Sequence, residues 1–209
     1  MDLIDQTCGT NFNTDAAATE DLEKKANMPD KILLEHFIDN AEKLGTRNFM
    51  TQPMGGDECK YWDFNETLEE AKKMAGYLES LNFPPKSQIA IMSKNCAWWI
   101  IADMAIMMAG HVSVPVYPTL TADTTQFILE HSESKLCFVG KLDEKPWAEM
   151  KNGIPKDMPT VSFPLCPKDA GSSKKWDEVI KSASSIKQMV KRDVEEMCTI
   201  IYTSGSTGK

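Results

Sequence analysis

QIAIM (88–92), CAWWIIADMAIMMA (96–109), VSVPV (112–116), KLCFV (135–139) and TVSF (160–163) decide the fold. Four of these are short continuous apolar runs, and 96–109 is an apolar run of helical length. Strands buried on both faces read as continuous apolar runs, and helices between them imply parallel pairing. A further helix, with Phe127 and Ile128 on its apolar side, lies between the second and third strand runs. Pro115 lacks a backbone donor and weakens 112–116 as a central strand. The reading is an α/β fold, a parallel-rich sheet covered by helices.

Working outward, residues 1–28 are polar and aperiodic and read as a loose N-terminal arm, with the structured region spanning 29–209. Leu33, Phe37, Ala41 and Leu44 recur at helical spacing, and Gly45 is placed to end that helix. Residues 47–63 read as a hairpin turning at Gly55-Gly56-Asp57. A second helix carries Leu68, Ala71, Ala75, Leu78 and Leu81, with Thr67 and Glu70 as a capping box and Asn65 as a competing cap. Residues 143–158 and 164–193 are rich in Lys, Ser, Pro and Asp and read as surface connections, with one helix near Trp176 to Ala183.

The net charge of −8 argues against a nucleic-acid binder, which would present a basic face. The lysines at 168, 174, 175, 181, 187 and 191 are interleaved with Asp169, Asp177 and Glu178, so they read as solvated surface. Six scattered cysteines and three dispersed histidines give no zinc spacing, and without a secretory signal the cysteines read as reduced thiols. The run 96–109 is too short for the ~20 residues of a bilayer-crossing helix, and Asp103 interrupts it. Asp103 reads as a half-buried, partnered carboxylate, and Trp98 and Trp99 as core anchors.

The last thirteen residues, MCTIIYTSGSTGK (197–209), carry the chemistry. CTIIY is a strand pattern running straight into Thr203-Ser204-Gly205-Ser206-Thr207-Gly208. Ligands of open α/β sheets gather at the carboxyl ends of strands. Glycines there let backbone N–H groups approach phosphate oxygens, and hydroxyls add donors without bulk. Composition alone would also fit a flexible turn. A Walker A loop fails on spacing, because Gly205 and Gly208 are only three apart, and a nucleophile elbow fails because Ser206 follows Gly205 directly. Cys198 has no identified base partner and reads as a strand residue.

Tyr202 through Gly208 resembles the phosphate-binding signature of the adenylate-forming superfamily, Tyr/Phe-Thr-Ser-Gly-Ser/Thr-Thr-Gly-x-Pro-Lys-Gly. Residues 87–140 are similar to that family's N-terminal domain, and VPVYPTLT (114–121) looks most like the long-chain fatty acid–CoA ligase branch. The resemblance implies a ligase that uses ATP and Mg2+ to turn a fatty acid, or another carboxylic acid, into acyl-AMP and passes it to coenzyme A. It implies phosphate contacts from Thr203, Ser204, Ser206 and Thr207, with backbone approach at Gly205 and Gly208. Lys209 falls on the family's variable position and is not the signature lysine. The expectation is an N-terminal fragment, truncated in its phosphate loop, without catalytic residues and inactive alone. The intact protein is expected in the cytoplasm with membrane contact left open, as are a carrier-protein or luciferase-like acceptor and a non-catalytic interaction module.

Overall fold

A computed structural model describes residues 31–171 and 174–203. The arm expected at 1–28 therefore lies outside the described residues. The first described helix, α1 (Leu33–Leu44), buries Leu34, Phe37 and Ala41 and ends at Gly45, whose φ of 41° suits glycine. Leu33, expected on the buried stripe, is 74% exposed, because the stripe starts one residue later. Strands β1 (Asn48–Gly55) and β2 (Glu58–Asp63) form the expected antiparallel hairpin.

Helix α2 (Phe64–Ser80) is capped one turn earlier than expected. The Asp63 carboxylate accepts from Glu66 N at 2.7 Å, and Glu66 accepts from Asp63 N at 3.0 Å, a reciprocal capping box. Thr67 and Glu70 are freed for other work. Thr67 is buried and donates to Asp63 O. Glu70 accepts from the indoles of Trp62 and Trp176, each at 2.7 Å, and so ties the hairpin to the helix α6 (Trp176–Ser182).

The central sheet comprises β3 (Gln88–Met92), β4 (Val112–Val116), β5 (Leu136–Val139), β6 (Thr160–Ser162) and β7 (Lys174–Lys175). Its order is β4-β3-β5-β6-β7, and every pairing is parallel. Alternate residues of each central strand feed opposite faces. Ile89, Ile91, Leu136 and Phe138 pack with α2 and α3 (Ala97–Met108). Ala90, Met92, Cys137 and Val139 pack under α4 (Ala122–His131) and α5 (Glu144–Met150). Both faces are covered, which is why the strands read as unbroken apolar runs. Helix α3 is buried nearly all round, with Trp98, Ile101, Ala102, Ala105, Ile106 and Met108 under solvent-free packing. Among the described residues no helix is long and apolar enough to cross a membrane.

Several expectations need correction. Residues 143–158 are not only connection: α5 buries Trp147 and Met150. Phe127 is 44% exposed, and Thr125, Ile128 and Leu129 are the buried residues of α4. CTIIY makes a single parallel bridge, Thr199 to Ser113, in place of a full strand. Cys59 is disulfide-bonded, unlike Cys96, Cys137, Cys166 and Cys198, so the thiols are not uniformly reduced.

Candidate functional site

The sheet's own topology points first to the crevice between β3 and β5, where the chain reverses its direction of travel across the sheet. That crevice is filled by the protein itself. Ser93 Oγ accepts from Lys141 N at 2.9 Å and donates to Lys94 O at 2.6 Å. A Cβ at Gly140 would lie 2.2 Å from Ser93 Oγ, so only glycine allows this approach. Lys94 Nζ meets Asp143 Oδ2 at 2.5 Å across the mouth. The N-terminus of α3, an anion site in many α/β proteins, is already served: the buried Gln52 side chain accepts from Ala97 N at 3.0 Å.

The open site lies at the β4 edge. Ser113 N donates to Cys198 O at 3.0 Å, and Ile200 N donates to Ser113 O at 2.9 Å. These two bonds lay the segment leading to Thr203 parallel to β4, so it emerges at the carboxyl ends of the strands. Ser113 turns both backbone groups outward. Pro115, two residues on, turns the same way, so its missing N–H costs the β3–β4 ladder nothing. Thr203 sits on a cleft of about 520 Å³ together with Tyr117, Thr119, Leu120, Ile128 and Tyr202. Ser204, Gly205, Ser206, Thr207 and Gly208 lie outside the described residues.

Tyr202 anchors the base of the expected loop. Its hydroxyl lies 2.7 Å from His131 Nδ1, and its ring meets Phe127 edge-on at 6.3 Å. Phe127 in turn stacks on His131 at 5.2 Å. Partial burial raises the Tyr202 phenol above its ordinary pKa, so it stays protonated as a hydrogen-bonding group. Neither Phe127 nor His131 was singled out by sequence reasoning as a site residue. Their i,i+4 spacing on α4 was the available signal, but the 71-residue separation from Tyr202 hid the partner.

Of the other residues weighed, Asp103 is half-buried and hydrogen-bonded to the Ser113 side chain; burial raises its pKa and Ser113 opposes the shift. Trp98 is a core anchor whose ring meets Trp62 edge-on at 5.3 Å, and its buried Nε1 has no hydrogen-bond partner among the described residues. Trp99 is partly buried against the same core. Cys198 is exposed, and what ties it to the site is its carbonyl. Among the described residues no group of three or more His, Cys, Asp or Glu is placed to hold a metal.

A parallel sheet with helices on both faces defines a doubly wound α/β class of protein, whose ligands gather at the carboxyl ends of the strands. The chain belongs to the AMP-binding enzyme family, whose model matches residues 37–209. It is 31% identical over 184 residues to long chain acyl-CoA synthetase 5 of Arabidopsis thaliana, covering 81% of this chain and 27% of that protein. It is 29% identical over 180 residues to fatty acyl-CoA synthetase A of Dictyostelium discoideum, covering 79% and 26%. The chain thus spans about a quarter of the length of the curated relatives it matches. In fold it is similar to a long-chain-fatty-acid-CoA ligase from Archaeoglobus fulgidus, with a TM-score of 0.67, 19% identity, and 85% and 35% of the two chains covered. The anthranilate CoA ligase AuaEII gives a TM-score of 0.69 at 15% identity, covering 88% and 33%.

Proposed function

We propose that these residues belong to an AMP-forming fatty acid–CoA ligase and that Thr203–Gly208 seat the β- and γ-phosphates of ATP. The carrying observation is placement. Seven positions of the phosphate signature, Tyr202–Gly208, follow a segment that Ser113 holds parallel to β4 and directs to the carboxyl edge. A carboxylate is a poor acyl donor because oxide is a poor leaving group. In the proposed reaction its oxygen attacks the α-phosphorus, the α–β bridging P–O bond breaks, and pyrophosphate leaves as acyl-AMP forms. The thiolate of coenzyme A then attacks the acyl carbon, the C–O bond to AMP breaks, and the thioester remains.

The first step crowds negative charge and gains most from fixed donors. In this proposal backbone N–H groups at Gly205 and Gly208 and the hydroxyls of Thr203, Ser204, Ser206 and Thr207 provide them. The Mg2+ expected with ATP finds no ligand set among the described residues and carries no step here. Fatty acids as substrates and coenzyme A as acceptor are supported by the names of the matched relatives. We further propose that the 209 residues alone do not turn over, since the relatives are about three times as long.

The test is ATP–pyrophosphate exchange by the protein encoded by the whole gene, with a panel of carboxylic acids, followed by coenzyme A as acceptor. The proposal expects exchange that depends on long-chain acids and thioester formation with free coenzyme A. Exchange without thioester would transfer the reading to a carrier-protein acceptor, and no exchange with any acid would sink it.

A further inference from the structure

Arg192 is the feature that the reading so far leaves unused. It stands six residues before Cys198, and its side chain is 3% exposed. Lys and Arg are seldom buried without a dedicated set of acceptors. Here Nη1 donates to His111 O at 2.6 Å, Nη2 donates to Met197 O at 2.7 Å, and Nε faces Glu196 Oε2 at 3.3 Å. The other oxygen of Glu196 meets Lys86 Nζ at 2.6 Å. The two carbonyls belong to different strands of chain. His111 immediately precedes β4, and Met197 immediately precedes the segment that Ser113 holds. One planar fork therefore clamps the starts of both.

The consequence is register. Ile200 and Tyr202 pack against the core under α4, and Ile201 between them is 62% exposed. A slip of one residue would exchange these faces, because side chains alternate along extended chain. Ile201 would turn inward, Tyr202 outward, and the Tyr202–His131 bond would be lost. Among the described residues one bridge, Thr199 to Ser113, pairs this segment with the sheet, so little ladder resists the slip. Val190 adds a second fixed point upstream. Its N donates to Met108 O at 3.0 Å, and its methyls press on Gly110, where a Cβ would lie at 3.0 Å.

We propose that Arg192 is a positioning residue for the nucleotide site: its guanidinium sets the register of residues 197–203 on β4 and thereby where Thr203 meets a nucleotide. The proposal rests on the ATP-binding reading given above. Charge alone cannot do this, because a lysine ammonium lacks the rigid fork that reaches two carbonyls and a carboxylate together.

The experiment compares wild type, Arg192→Lys and Arg192→Met by amide hydrogen exchange and by ATP titration. In both variants the Ser113 and Ile200 amides exchange about tenfold faster or more, while amides of β3 and β5 keep their protection. ATP affinity falls about tenfold in both, and Arg192→Lys lies closer to Arg192→Met than to wild type. Unchanged exchange at Ser113 and Ile200 would overturn the proposal. So would equal acceleration of all sheet amides, or wild-type ATP affinity in a variant that has lost protection at those two sites. Absence of ATP binding by the wild type would defeat the proposed function instead, and the exchange comparison would still decide whether Arg192 holds the register.

Discussion

At the scale of the residue, two ionisable groups beside the site, the half-buried Asp103 and the buried His111, have opposite pH signatures. Burial raises Asp103 above its ordinary 3.8, despite the Ser113 hydrogen bond. Its contribution to stability is full below 3.8 and is lost as pH rises through the folded value, so at neutral pH its charge is a cost. Asp103→Asn should therefore raise the melting midpoint near pH 7, and the gain should shrink in acid. His111 is shifted the other way, first by burial and then by the Arg192 charge. The fold keeps the His111 contribution above 6.5 and loses it as pH falls from there towards the folded value. His111→Gln should flatten the decline in melting midpoint between about pH 7 and about pH 5, because the proton taken up only on unfolding is removed. A parallel decline in wild type and variant would show that His111 does not titrate with unfolding.

At the scale of the element, Gly76 in α2 sets helix propensity against packing. An exposed Gly→Ala in a helix gains about 1 kcal/mol. Here the added Cβ would lie 2.0 Å from Ser184 O and 3.0 Å from Ile186 N, both backbone. Overpacking costs about 1–3 kcal/mol, and backbone yields less than a side-chain tip, so the clash wins. Gly76→Ala should lower the unfolding free energy by up to about 2 kcal/mol net, read as a lower denaturation midpoint. A stabilised variant would mean that the 184–186 segment does not rest on α2. Element boundaries were legible where the chain is buried on both faces: 88–92 and 112–116 are the strands that their apolar runs predict. They were less legible where local chemistry is ambiguous. Asp63, Asn65 and Thr67 all suit an N-cap, and the hairpin's length selects Asp63. Helix α5 went unread because Pro146, Lys145 and Glu144 look like loop, though Pro is tolerated in a first turn.

At the scale of the whole molecule, the motif's place in the sequence was legible, and the way the preceding segment is attached to β4 was not. The motif at 202–208 and its place after an apolar run are local facts. That Ser93 and the Lys94–Asp143 pair fill the β3–β5 crevice and that Gln52 serves the N-terminus of α3 is not local, since Ser93 meets Lys141 across 48 residues and Gln52 meets Ala97 across 45. Nor is the clamp that joins Arg192 to His111 across 81 residues. Long-range polar contacts of this kind leave no periodic trace, whereas burial does. The proposed picture is a sheet whose β3–β5 crevice is closed by its own polar contacts and whose nucleotide is bound at the β4 edge.

The most direct test of that picture is calorimetric titration with ATP of the whole protein, wild type and Gly205→Val, with thermal melts of each as a check on folding. In the proposed loop a side chain at Gly205 would block backbone approach to the phosphates. The account predicts saturable ATP binding by the wild type and its loss in the variant, with melting midpoints that agree in the absence of nucleotide. Equal ATP binding by the two proteins would contradict it.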